Sequence, residues 1–289
     1  MTDIMKDPVR TDADSPPEMH SLFIEDRLLG LIYLAGGEGP HKTVLLLHGF
    51  PGNEKNFDLA HALRRGGYNV MIFHYSGSWG SRGNYSFSQN YRDLQTVRRM
   101  IADEAFAKEH RIDRDNVFLA GHSVGGFLTL LAARDGMDFI GFAAVAPYNL
   151  SSQSERIEAG DKDAYAETFG LFSGGLNPLN GATAGSLMAD IKEKRTEWDL
   201  LGDPEAYKEK RILLVIASGD RDATPHIHQV PVARMLGMAG GPKTIVTFSC
   251  SHDFSEKRVA LAEAIYEWLE EQVQKTTNQP DEPSGLLFS

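Results

Sequence analysis

The sequence predicts an α/β fold with a mostly parallel central sheet flanked by helices. Three observations predict it. Short apolar runs alternate with longer segments of helical period along most of the 289 residues. Four of the later runs show little polar alternation, as strands covered on both faces do. A single long stretch, from Tyr148 to about Lys210, gives no clear strand and so marks an insertion rather than a loop.

The elements follow in order. Met1 to Pro17 scatters Asp3, Asp7, Asp12 and Asp14 among prolines and has no apolar centre. It is not a secretory signal, and residues 1–18 read as a poorly ordered tail. Residues 22–25 and 29–34 form an antiparallel pair around Asp26-Arg27, and runs at 43–47 and 69–74 follow. Tyr91, Leu94, Val97 and Ile101 recur at three- and four-residue spacing, which gives one long helix an apolar face. Further runs lie at 116–120, 139–144, 211–217 and 243–248. Val259, Ala262, Ile265, Tyr266 and Leu269 predict a closing helix. The core therefore spans 19–147 and 211–274, the helical cap or lid insertion 148–210, and a second tail 275–289.

Composition narrows the function. With 42% hydrophobic and 24% charged residues, the chain suits one large globular unit. A net charge of −11 without a basic stripe argues against nucleic acid as a partner. No apolar run approaches the roughly 20 residues that span a bilayer. Cys250 is the one cysteine, so no intrachain disulfide can form, and a buried thiol in a cytoplasmic protein is the expectation. A homodimer is the assembly kept open.

The chemistry centres on Ser123. It sits in Gly121-His122-Ser123-Val124-Gly125, after the apolar run Val117-Phe118-Leu119-Ala120 and before the helix-like Gly126-Phe127-Leu128-Thr129-Leu130-Leu131. A strand turning sharply into a helix holds a serine hydroxyl out at the turn, and the glycines leave the space that such a turn needs. A serine hydroxyl needs a base, and the base needs an oriented carboxylate. Gly219-Asp220-Arg221-Asp222-Ala223-Thr224-Pro225 and Ser251-His252-Asp253-Phe254 each follow a predicted strand, where an open α/β sheet gathers its functional groups. Asp253 is too close in sequence to fold back onto the His252 ring.

These motifs together resemble the α/β-hydrolase fold family, from about Leu22 to Gln274. The resemblance implies Ser123 as nucleophile, His252 as base and Asp222 as acid, since the family's acid commonly stands third after a glycine and ahead of a proline. Asp220 is the competing carboxylate, read as a support of the loop. His48-Gly49-Phe50-Pro51-Gly52 resembles the family's oxyanion loop, which implies the backbone N–H groups of Phe50 and Val124 as the hole; Pro51 has no N–H to give. The stretch from His74 to Gly83 resembles one that reads Asp-x-Arg-Gly-x-Gly-x-Ser in the family, and its Trp79 is similar to esterases and peptidase-like members.

The implied activity is cleavage of small-molecule carboxylic esters of small or aromatic acids through an acyl-enzyme. Neither cofactor nor metal is called for. Tyr75, Trp79, Phe172 and Trp198 are the pocket candidates. The alternatives are a peptidase acting on short substrates and a non-catalytic binding protein. His226 and His228 form a His-x-His without a completing cluster and read as solvated residues, while His48 and His122 read as structural.

Overall fold

The computed structural model of the chain describes residues 2–7 and 14–277. Its eight strands are β1 (Glu18–Ile24), β2 (Leu28–Leu34), β3 (His41–Leu47), β4 (Asn69–Phe73), β5 (Ile112–His122), β6 (Gly141–Val145), β7 (Ile212–Ala217) and β8 (Lys243–Phe248). They make one sheet in the order β1-β2-β4-β3-β5-β6-β7-β8. β1, β2 and β4 pair antiparallel, and every pairing from β4 through β8 is parallel.

Strand period explains the two-sided core. Leu45, Leu47, Leu119, Ile212 and Leu214 face one layer of helices, and their neighbours Val44, Leu46, Phe118, Leu213 and Val215 face the other. Each such buried side chain contributes roughly 1.5–3 kcal/mol of transfer free energy. The helices are α1 (Phe57–Arg65), α2 (Phe87–Ala102), α3 (Glu104–Glu109), α4 (Val124–Arg134), α5 (Leu150–Glu158), α6 (Lys162–Gly174), α7 (Ala184–Lys194), α8 (Pro225–His228), α9 (Val230–Ala239) and α10 (Arg258–Thr277). α2 starts at a capping serine, Ser86, which accepts from the Gln89 N–H. It buries Leu94, Val97 and Ile101 of the expected apolar face, while Tyr91 is partly buried.

The insertion between β6 and β7 is helical, carrying α5, α6, α7 and a 3-10 turn at Pro204–Tyr207. Its helices begin at Asn149, Asp161 and Thr183, each a side-chain cap on its own first turn.

The expected N-terminal tail is tied down where the structure describes it. Ile4 is 2% exposed, packs near Tyr266 and Gly66, and its carbonyl accepts from Arg65 Nε at 2.7 Å. An apolar residue in a polar segment found a gap in the α1–α10 layer, a tertiary fit that composition does not register. Of the expected C-terminal tail, residues 278–289 lie outside the described residues. Among the described residues no helix is long and apolar enough to cross a membrane.

Candidate active site

β5 delivers Ser123 to the rim of the sheet. Its backbone, at φ 59° and ψ −122°, departs from both strand and helix, and the turn hands the chain directly to α4. A non-glycine residue holds such angles only where the surroundings over-determine them. They do here: the Ser123 N–H donates to Val145 O at 2.9 Å, and its carbonyl accepts from Phe127 and Tyr148 N–H at 3.0 Å each. A Cβ at Gly121 would collide with the Gly125 carbonyl, so the first glycine of the motif is a steric requirement.

The loop from His48 to Gly52 lies against this serine. A Cβ at Gly49 would stand 2.7 Å from Ser123 Cβ and 3.2 Å from its Oγ, so only glycine admits this approach. His48 is buried behind it, and its Nδ1–H donates to Gly49 O at 2.8 Å. Burial, outweighing that hydrogen bond, lowers the His48 pKa to about 3, which keeps the ring neutral. Val124 is the first residue of α4, where the helix leaves its N–H without an internal partner. The Phe50 ring packs at 5.4 Å from Phe172 and 5.7 Å from Phe87.

The carboxylate on the imidazole is Asp220, not Asp222. His252 Nδ1–H donates to Asp220 Oδ2 at 2.6 Å, which leaves Nε2 as the lone-pair nitrogen. Asp220 Oδ2 also accepts from Gln229 Nε2 at 2.8 Å, and Oδ1 accepts from the N–H groups of Asp222 at 2.9 Å and Ala223 at 2.8 Å. Burial pushes the Asp220 carboxyl up, but the hydrogen bond and charge of His252 and the two amides outweigh it and hold it below the usual carboxylate range. The reason for the switch is local. The chain curls straight off β7, turning Asp220 inward as the anchor of an Asx-type turn, and the same turn throws Asp222 out to solvent. Gln229 completes the shell: fully buried, it also donates to Ala223 O at 2.7 Å and accepts from Ala217 N–H at 3.0 Å. Nothing in the sequence singled it out, because a lone glutamine at a helix start carries no pattern.

His252 arrives from the loop after β8. Its ring lies 4.6 Å from that of His122, and its carbonyl accepts from His122 Nε2–H at 2.8 Å. Burial first, then the neighbouring His252, lowers the His122 pKa to about 3, so His122 holds the loop as a neutral donor. Asp253 turns away, accepting from Ser251 Oγ at 2.8 Å and Ser255 Oγ at 2.7 Å, and these bonds bring its pKa down to about 2. Arg258 fastens the loop to α1: it donates to Asp253 O and Asn56 Oδ1 at 3.0 Å and pairs with Asp58.

Three of the four pocket candidates are core residues. Tyr75 is fully buried with its hydroxyl on His48 O at 3.1 Å, Phe172 is fully buried against Phe50, and Trp198 packs edge-on to Phe127. Large rings in an insertion fill its contact with the core before they can line a space. Trp79 alone is partly exposed. A cavity of about 200 Å³ does open under the insertion, and its lining is mostly polar, with Tyr148, Gln153, Arg156, Glu167, Asp222 and His228 among the walls. His228 is buried rather than solvated, stacked at 4.2 Å on Tyr148. Its Nδ1 accepts from Asn149 N–H at 3.1 Å, so the proton of the neutral ring is on Nε2. Burial brings its pKa to about 3. Among the described residues no cluster of metal-ligating side chains occurs.

The sequence profile of the alpha/beta hydrolase family matches residues 44–264. No curated protein matches the chain by sequence. Among solved structures, Est1E from Butyrivibrio proteoclasticus with ferulic acid bound is similar at a TM-score of 0.63 and 16% identity, over 88% of this chain and 99% of that one. A monoacylglycerol lipase from Paleococcus ferrophilus gives 0.59 and 18%, over 85% and 99%. An acylaminoacyl peptidase from Pyrococcus horikoshii gives 0.61 and 16% over 91% of this chain, which spans only 42% of that protein.

Proposed function

Because this chain belongs to the alpha/beta hydrolase family, we propose that it is a serine hydrolase that cleaves carboxylic esters of small or aromatic acids through an acyl-enzyme. The observation that carries the reading is the 2.6 Å hydrogen bond from His252 Nδ1–H to buried Asp220, on a ring that stands against residue 122, next to the strained Ser123.

In this reading, His252 Nε2 takes the Ser123 proton as Oγ adds to the ester carbonyl, and Asp220 stabilises the imidazolium. The N–H groups of Phe50 and Val124 receive the charge on the carbonyl oxygen. Collapse expels the alcohol, which takes the proton from His252; a water then repeats the sequence and releases the acid. The insertion acts as a lid, and its polar cavity takes a hydrogen-bonding part of the substrate. The ferulic acid held by Est1E is in keeping with an aromatic acyl group.

A fluorophosphonate probe tests the reading. It should label the wild-type protein and not Ser123→Ala; an unlabelled wild type would favour a binding protein instead. Matched aryl esters and amino-acid anilides then separate esterase from peptidase. Anilide cleavage at rates comparable to ester cleavage would overturn the ester assignment.

A further inference from the structure

Trp79 holds a conformation that a bulky side chain ordinarily avoids. Its φ is 48°, and 36% of the residue is exposed. Such strain persists only where contacts enforce it, and they enforce it from two directions here.

Its backbone N–H donates to Pro178 O at 3.0 Å, and Ser78 pairs with Leu179 as an isolated antiparallel bridge. Asn180 adds three more links to the same loop. Its N–H donates to Gly77 O at 2.7 Å, its carbonyl accepts from Tyr85 N–H at 2.9 Å, and its Nδ2 donates to Gly83 O at 2.6 Å. The backbone of residues 77–85 is therefore stitched to the insertion at 178–180.

The side chain points the other way. Trp79 Nε1–H donates to Pro51 O at 2.8 Å, and the Lys55 ammonium stands 3.5 Å over the ring. Pro51 follows Phe50, whose N–H is the first donor of the proposed oxyanion hole. The Phe50 ring meets the insertion independently, at Phe172.

We propose that Trp79 is a positioning residue that hangs the oxyanion loop from the helical insertion, holding the Phe50 N–H where charge develops in the tetrahedral intermediate. This rests on the serine-hydrolase reading above. The insertion then sets the electrostatics of the reaction as well as covering the site.

The test uses the full chain and two variants. Trp79→Gly suits the positive φ and removes only the indole, so its melting temperature should stay close to wild type. Trp79→Phe keeps the ring and loses the donor. Both should lower kcat on a p-nitrophenyl ester about 10–100-fold, less than the roughly 10²–10³ for outright loss of an oxyanion donor because the Phe50 N–H is only displaced, with KM changed by less than about threefold. The inhibition constant of phenylboronic acid, which adds to Ser123 Oγ as a tetrahedral adduct, should rise in step with the fall in kcat. Unchanged kcat and boronate affinity in either folded variant would overturn the proposal, as would a kcat loss with boronate affinity intact. Fluorophosphonate labelling of the wild type keeps the two questions apart. A wild type that is not labelled defeats the hydrolase reading; a labelled wild type with unaffected Trp79 variants defeats only this one.

Discussion

Asp220 and Asp222 stand two residues apart on one loop, and a pair of amide variants separates them. Asp220→Asn leaves His252 Nδ1–H without its anion and should cost on the order of 10⁴ in kcat, while Asp222→Asn at the cavity wall should change kcat/KM by less than about tenfold. Steady-state kinetics on one ester decides it. The reverse ranking would restore Asp222 as the acid. Gln229 belongs to the same calculation. Gln229→Ala strips one donor from Asp220 and leaves the Ala217 N–H and Ala223 carbonyl without their side-chain partner. A buried loss of this kind costs about 1–3 kcal/mol, read as a lower denaturant midpoint at unchanged slope.

Elements were legible in proportion to how far their signal is local. The strand runs, the α2 stripe and the strand–Gly-x-Ser-x-Gly–helix turn are written in neighbouring residues, and the fold contains each of them. β5 starts earlier than its apolar run because Ile112 pairs with His41 ahead of it, and the polar Asp113, Arg114 and Asp115 fall in the irregularity before Val117 meets Thr43. The choice of carboxylate, the Gln229 amide that donates to it and the fate of the aromatic rings were not legible. Each depends on which way a loop curls or which surface a ring meets, and one-dimensional spacing records neither. The loop bearing His252 is an element-scale case. Arg258 ties it to α1, so Arg258→Ala should leave the far-ultraviolet circular dichroism unchanged while speeding hydrogen exchange across residues 249–257. Exchange at the wild-type rate there would show that the clamp is not needed.

At the scale of the whole molecule, the buried histidines set the acid limit of stability. His48, His122 and His228 have pKa values near 3 and His74 near 4, all lowered mainly by burial. In the unfolded chain a histidine titrates near 6.5, so between these values the unfolded state binds more protons. Their contribution is fully present above about pH 6.5 and is lost as pH falls towards 3, at up to about 1.4 kcal/mol per pH unit for each ring. Asp220, also held low, adds to the loss at the acid end. Thermal melts should drop by several degrees from pH 7.5 to 5; a flat profile would mean that these rings are solvated in the native state.

The contacts of Phe172 with Phe50 and of Pro178 with Trp79 have a bearing on how this scaffold could be adapted. A cap that merely roofed its site could be exchanged for another and bring a new appetite with it. Under the proposed function the cap also grips the lip of the reaction centre, so a graft between β6 and β7 that ignored those two footholds should alter pace along with preference. Selection on one property would drag the other, and improved variants should cluster at the seam rather than within the cap.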